Sequence, residues 1–264
     1  MAGVEETERF ADLLRLPDDE VPLDEACLLI AAHFITGLDV DGQLQRLDDL
    51  AAAVEDHSLD GLREHLFGRL GFHGNVERYD DPENSYLNRV IDRRTGIPIT
   101  LSVLTMEVGR RLDVELLGIG MPGHFLLRDG QDPSLFVDPF SGGIAMGPSA
   151  TRAVFQHLHG PGTPFDEAFL APTPRVAIVG RVLNNLRGLF ATDGDPLRLA
   201  TVLRLRTAVP GVSPLERRDL AQAYAAMGRF GEAAAELESL AEVAGKGEAD
   251  RLLSTARQLR AKLN

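Results

Sequence analysis

The alternation of apolar and polar positions divides the chain into a helical start, a short sheet and a helical end. Leu23 to Ile35 (LDEACLLIAAHFI) is apolar almost all round, the pattern of a buried helix, with Pro22 before it and Gly37 after it. Gln43 to His57 repeats apolar residues at three- and four-residue steps (Leu44, Leu47, Leu50, Val54), and Leu59 to Leu70 predicts a third helix, stopped at Gly71. Gly71 to Asn84 is rich in Gly, Asp, Asn and Pro and reads as a loop, with a helix from Asn84 or Ser85 to Arg94. Thr95 and Gly96 break that helix. Pro98 suits the first turn of the next one, which Ile97, Leu101, Leu104, Val108 and Leu112 line on one side. After Leu112 the period shortens. VELLGIG, GHFLLRD and SLFVDPF predict strands of a small antiparallel sheet, SGGIAMGPS a turn, and Ala150 to His159 a short helix.

Pro172 and Pro174 mark a boundary, and everything from Arg175 onward reads as helical. Near its middle, small residues (Ala221, Ala225, Gly228, Ala233) let two antiparallel helices approach closely, while Tyr224 and Phe230 fill the wedge between them. That is the logic of a tetratricopeptide repeat, present here in little more than one copy and therefore expected to lean on the preceding domain. The division this implies is an α+β domain over residues 1–171, helical to 112 with its sheet near 114–140, and an all-α tetratricopeptide-like domain over 172–264.

Composition narrows the function. Of 264 residues 44% are hydrophobic and 25% charged, the balance of a soluble globular protein. A net charge of −13 opposes nucleic-acid phosphates, and no Lys/Arg run offers a local exception. No apolar run reaches the length of a membrane span, and MAGVEETERF lacks a basic-then-apolar leader. Cys27 is the only cysteine, which excludes an intrachain disulfide and a multi-cysteine metal site. The expectation is a cytoplasmic protein without nucleic-acid or membrane contact. No phosphate-cradling glycine motif occurs, and His157 and His159 sit in a loop-like HLHGPG without a third ligand, so neither cofactor nor metal is expected. Asp80, Asp81 and Glu83 predict a solvated acidic loop, and Glu107 with Arg110 and Arg111 an ordinary pair near a helix surface.

The chemistry-bearing order lies between residues 96 and 138. A helix starts after Gly96, His124 falls on the following strand, and Asp138 ends the next one. This is the layout of a papain-like Cys-His-Asp site, in which the helix N-terminus lowers a thiol's pKa, the imidazole acts as base and the carboxylate orients it. Here the helix start holds Pro98, which has no attacking atom. Cys27 lies far earlier, in a core-like helix. Thr100 is on the far face of the helix. Ser102 shares Pro98's face one turn deeper, where its simplest role is a hydrogen bond to the Pro98 carbonyl and its alternative role is that of a substitute nucleophile. Tyr79, Asn84, Tyr86 and Asn88 precede this helix and are candidates to line a cleft together with His124 and Asp138, Asn84 being also a candidate N-cap.

NSYLNRV, RRTGIPITLS, PGHFLLR and VDPF, in that order within roughly Leu23 to Gly143, resemble the SirB-type transglutaminase-like family. The resemblance implies a papain/transglutaminase-like α+β domain with a tetratricopeptide-like tail. It implies that the superfamily's Cys, His and Asp correspond to Pro98, His124 and Asp138, with glycine-isoleucine-proline as the pattern of this branch. It carries no established activity. The expectation is a non-catalytic binding, scaffold or regulatory protein, with a protein or peptide partner through the helical tail. The alternative is a hydrolase or acyl transferase using Ser102 with His124 and Asp138.

Overall fold

The computed structural model describes residues 3–263. The first layer is helical: α1 (Val4–Leu13), α2 (Leu23–Ala32), α3 (Val40–Ala52) and α4 (Leu59–Arg63), which runs on as a π-helical turn over Glu64–Arg69. Side-chain caps fix two of these starts, Asp39 accepting from Gly42 N and Ser58 from Gly61 N. The β1 strand (His73–Gly74) then leads through a loop and a 3-10 turn (Pro82–Ser85) into α5 (Leu87–Arg93). β2 (Thr95–Gly96) pairs with β1 in parallel and delivers the chain to α6 (Pro98–Arg111).

α6 is the axis of the domain. Every residue from Pro98 to Gly109 is buried, because α2, α3, α4, α5 and the sheet all pack against it. The sheet runs β3 (Leu116–Ile119), β4 (Leu126–Asp129), β5 (Phe136–Asp138) and β6 (Ile144–Met146), antiparallel and in sequence order. The stretch expected as a turn thus contains a fourth strand. Gly142 and Gly143, both at positive φ, make a hairpin tight enough for Asp138 to register with Ile144. Ile144 and Ala145 are exposed and only Met146 is half-buried, so no apolar alternation announced it.

After β6 comes α7 (Pro148–His159), then α8 (Arg175–Thr192), α9 (Pro196–Arg206), α10 (Glu216–Ala226), α11 (Phe230–Val243) and α12 (Lys246–Ala261). The main core does not stop at Pro172. Ile178, Val179, Val182, Leu183, Leu186 and Phe190 of α8 belong to the same apolar cluster as α2 and α6, and a separate cluster begins only with Ala200, Leu203 and Leu220. α8 is bound in by charge as well. Arg175 pairs with Glu107, its Nε donates to Val21 C=O at 2.6 Å, and Asp18 accepts from the backbone N–H of Arg175 and Val176.

Glu107 corrects one expectation: it is fully buried rather than near the surface. It accepts from Arg110 Nε at 2.7 Å as expected for an i, i+3 pair, and also from Arg175 of another helix. Asp24, equally buried, lies 2.8 Å from an Arg111 nitrogen, in contact but not aligned for a hydrogen bond, while Arg111 Nε donates to Asp48 at 2.6 Å. Burial first, and the neighbouring Asp24 charge second, hold the Glu107 carboxyl above its ordinary range against the pull of the arginines. Cys27 is buried in α2, its thiol pushed up by burial and by the same two carboxylates. The acidic loop is ion-paired rather than merely solvated: Asp81 and Glu83 lie 3.1 and 3.0 Å from Arg93 of α5.

Candidate functional site

A cavity of about 790 Å³ opens where the N-terminus of α6 meets the β3–β4 and β5–β6 loops and α7. Its floor carries Pro98, His124 and Asp138, so the topology brings together three positions separated by forty residues of sequence. His124 sits in the loop ahead of β4, two residues before the strand on which it was expected. The turn that presents it has Gly123 at φ 75° and closes with His124 N–H on Met121 C=O at 3.1 Å. Two side chains hold that turn from outside. Arg181 of α8 donates to Gly120 C=O at 2.7 Å and lies over the Phe125 ring, and His159 Nε2 donates to Pro122 C=O at 2.9 Å.

The His124 Nε2–H donates to Asp138 Oδ2 at 2.9 Å. Asp138 is otherwise fully committed: Oδ1 accepts from Phe140 N (3.0 Å) and Ser141 N (3.2 Å), and Oδ2 accepts from Ser141 Oγ (2.8 Å). Burial works to raise this carboxyl, but the hydrogen bonds from His124 and Ser141 outweigh it, and the group rests below its ordinary range. The carboxylate therefore stays ionised, fixes the imidazole and leaves Nδ1 as the ring's one uncommitted atom. Nδ1 has no hydrogen-bond partner and is not sealed from the cavity that the residue lines. The imidazole meets Phe140 edge-on at 6.1 Å, and Phe140 meets Tyr79 the same way at 5.9 Å.

Of the residues proposed from sequence, Tyr79, Pro98, His124 and Asp138 border this cavity, and Asn84, Tyr86, Asn88 and Ser102 do not. Asn84 is wholly buried and is not the N-cap of α5. It accepts from Asn75 Nδ2 at 2.9 Å and donates to the carbonyls of Arg78 and Tyr79, a clasp that holds the 75–79 loop and so sets Val76 and Tyr79 at the cavity rim. Its own carbonyl accepts from Thr100 Oγ1 at 2.6 Å, which ties the clasp to the first turn of α6. Tyr86 turns the other way and stacks on Phe34 at 5.4 Å. Asn88 is buried in α5 with its Oδ1 unpartnered. Ser102 is buried and its hydroxyl meets neither the Pro98 carbonyl nor the imidazole. Being one turn deeper along a helix packed on all sides puts it under the floor rather than in it.

Sequence reasoning missed the far wall. Ala150, Ala153, Val154, His157 and Leu158 of α7 line it at i, i+3, i+4, i+7 and i+8, a stripe legible in the sequence as one helical face. His157 is thus a helical wall residue and not part of a loop. Val76, Phe140 and Ser141 complete the lining. Among the described residues no cluster of three or more His, Cys, Asp or Glu side chains fits a metal, and no helix is long and apolar enough to cross a membrane.

Comparison with known proteins shows the family. Residues 39–184, which contain the whole cavity, match the family model described as Transglutaminase-like superfamily. The chain belongs to that superfamily. A UPF0162 protein of Xylella fastidiosa is 38% identical over 231 residues, 82% of each chain. UPF0162 protein PA3419 of Pseudomonas aeruginosa is 34% identical over 197 residues, 72% of each. These relatives support the SirB-type assignment that the motifs implied. F-box only protein 21 of Homo sapiens is similar over a shorter stretch, 40% identical over 75 residues, 28% of this chain and 12% of that protein. No solved structure matches the chain.

Proposed function

We propose that this transglutaminase-like protein binds a ligand in the α6–α7 cleft without turning it over. One observation carries the reading. The helix start that borders the same cavity as the His124–Asp138 couple holds a ring-locked Pro98, while the couple itself is intact and His124 lines the cavity. A base oriented by a saturated carboxylate, with a proline where the superfamily's thiol would stand, can donate or accept a hydrogen bond but lacks that nucleophile for acyl transfer. The Ser141 hydroxyl, which also lines the cavity, already donates to Asp138. The helical tail supports a second, protein- or peptide-directed role. A groove of about 620 Å³ lies between α10 and α12, floored by Ala221, Leu237 and Leu252 and crossed by the Arg218–Glu248 hydrogen bond at 2.8 Å.

The test is intact-mass spectrometry of the folded full-length protein after treatment with a serine-directed fluorophosphonate and, separately, with iodoacetamide. No adduct is expected from either reagent until the protein is unfolded. A fluorophosphonate adduct on folded protein that maps to Ser102 or Ser141 would overturn the reading.

A further inference from the structure

We infer that the cleft is built for a single-headed anionic amphiphile: a carboxylate seated on His124 Nδ1 at the floor, with a hydrocarbon chain lying between α7 and the 76–79 loop. The inference rests on the non-catalytic reading of the same cleft and adds the chemical class of its ligand.

The floor selects the headgroup. The His124 side chain is only 9% exposed, yet its Nδ1 is unpartnered and opens on the cavity. With Nε2–H held by an ionised Asp138, a proton on Nδ1 makes a charge-assisted donor aimed at whatever enters. The start of α6, a fourteen-residue helix, reaches the same floor at Pro98 and adds the positive end of its dipole. Nothing in the lining opposes an anion. Asp138 is the one carboxylate there, and its four hydrogen bonds offset it. No Lys or Arg lines the cavity, and the one other imidazole, His157, stands on the α7 wall rather than beside Asp138, so a single negative charge on His124 matches the floor better than a phosphate's two.

The walls select the body. Ala150, Ala153, Val154 and Leu158 face Val76, Tyr79 and Phe140, and Val76 and Leu158 are 78% and 47% exposed with no cover of their own. Beyond His157 and the Tyr79 hydroxyl, the side chains of these walls offer no donors or acceptors. An extended polypeptide between them would leave its amides facing carbon, whereas an alkyl chain needs only apolar area. The volume is that of an ordinary small-molecule site.

The experiment is isothermal titration calorimetry of the full chain with hexanoate, octanoate and decanoate below their micellar concentrations, and with decanol and decylamine. Affinity is expected to rise about tenfold for each two methylenes added, since each buried methylene contributes about three- to fourfold. Decanoate should bind at least about tenfold better than decanol or decylamine, in line with one charge-assisted hydrogen bond. His124→Gln should bring decanoate down to the level of decanol, and Ala153→Trp, which fills the groove from an exposed helix position, should remove both. In wild-type protein the imidazole nitrogen resonances of His124 should move with decanoate and stay in place with decanol, a readout that needs no variant to fold. Equal affinity for decanoate and decanol, or His124→Gln with an undiminished preference for decanoate, overturns the headgroup assignment. Tighter binding of a tetrapeptide with an apolar C-terminal residue than of decanoate overturns the alkyl body. Absence of decanoate binding together with absence of covalent labelling sinks this inference alone, whereas labelling of a cleft serine sinks the non-catalytic reading.

Discussion

The two ends of α6 hold similar ingredients and put them to different use. At its C-terminal half Glu107 and Asp24 are buried carboxylates enclosed by Arg110, Arg111 and Arg175, each of these cations already paired with a carboxylate. At its N-terminus Asp138 is just as buried, but its partner is an imidazole with one nitrogen left over, and that nitrogen opens on about 790 Å³ of space. A buried charge enclosed by arginines fastens elements together. A buried charge that holds a second polar group in place and leaves it half-satisfied prepares a site. The comparison predicts that changes at one end move binding or reactivity and changes at the other move stability.

The largest effect is expected on reactivity. Pro98→Cys places a thiol at the first position of α6, beside the His124–Asp138 couple and open to the cavity, where helix dipole and imidazole favour the thiolate. Cys27 is wholly buried with its thiol pushed up, so it reacts only through unfolding. Unfolded fractions of roughly 10⁻³ or less imply that iodoacetamide labels the new thiol at least about a thousandfold faster than Cys27. Peptide mapping of the alkylated protein measures the ratio, and comparable rates at the two sites would break the contrast between open and sealed ends.

The next effect is on stability, at the sealed end. Arg175→Met removes one counter-ion from a fully buried Glu107 and unties α8 from the Val21 carbonyl. Loss of one partner from a buried pair costs about 3 kcal/mol, read as a lower urea midpoint. Decanoate affinity, if the cleft takes that class, should be unchanged, because Arg175 does not line the cavity.

Asp138→Asn gives a smaller effect with a characteristic pH dependence. The folded-state carboxyl lies below its unfolded value, so its stabilisation is complete above the ordinary carboxylate range and is lost as pH falls through the folded pKa. The variant should be about 2 kcal/mol less stable at neutral pH, the worth of hydrogen bonds to a charged acceptor, and the gap should narrow on acidification. Glu107 runs with the opposite sign. Its raised carboxyl takes up a proton more readily folded than unfolded, so its ionisation costs stability above that range and acid relieves the cost. Urea midpoints from neutral pH down to about pH 3 separate the two. A gap for Asp138→Asn that stays constant with pH would mean that the carboxylate's charge contributes nothing.

What the sequence disclosed follows the same division. The period of three and four fixed α6 and its neighbours, because helices that bury one or all faces must show it. The order of Pro98, His124 and Asp138 pointed to the cleft floor, since a helix start, a Gly-marked turn and a strand end carry their own punctuation. Asn84, Tyr86 and Asn88 were misplaced for one reason: polarity next to a site does not say which way a side chain turns, and here Asn84 clasps a loop while Tyr86 stacks on Phe34. The depth of Glu107 was hidden because its partner Arg175 lies 68 residues away, where an intrahelical pair gave a sufficient local account. The wall on α7 was visible as an i, i+3, i+4, i+7 stripe, but the stripe has no meaning until the sheet brings it opposite His124. Arg181 was beyond reach altogether, because nothing local marks an arginine of a later helix as the holder of the Gly120 turn.

The smallest effect sharpens the comparison most. Leu158→Ser changes an apolar wall residue that is 47% exposed and lies at the end of α7. If the wall were ordinary core, removing a leucine would cost roughly 2–5 kcal/mol. If it is an uncovered binding surface, the folded protein without ligand loses little, and the urea midpoint should shift by no more than about 0.5 kcal/mol of stability. The apolar contact is then missing only in the complex, so decanoate affinity should fall several-fold while decanoate and decanol keep their ratio, since the headgroup contact at His124 is untouched. A loss near 2 kcal/mol without ligand would place Leu158 in a closed core. The cleft would then be shut in solution, and the two ends of α6 would differ in chemistry but not in access.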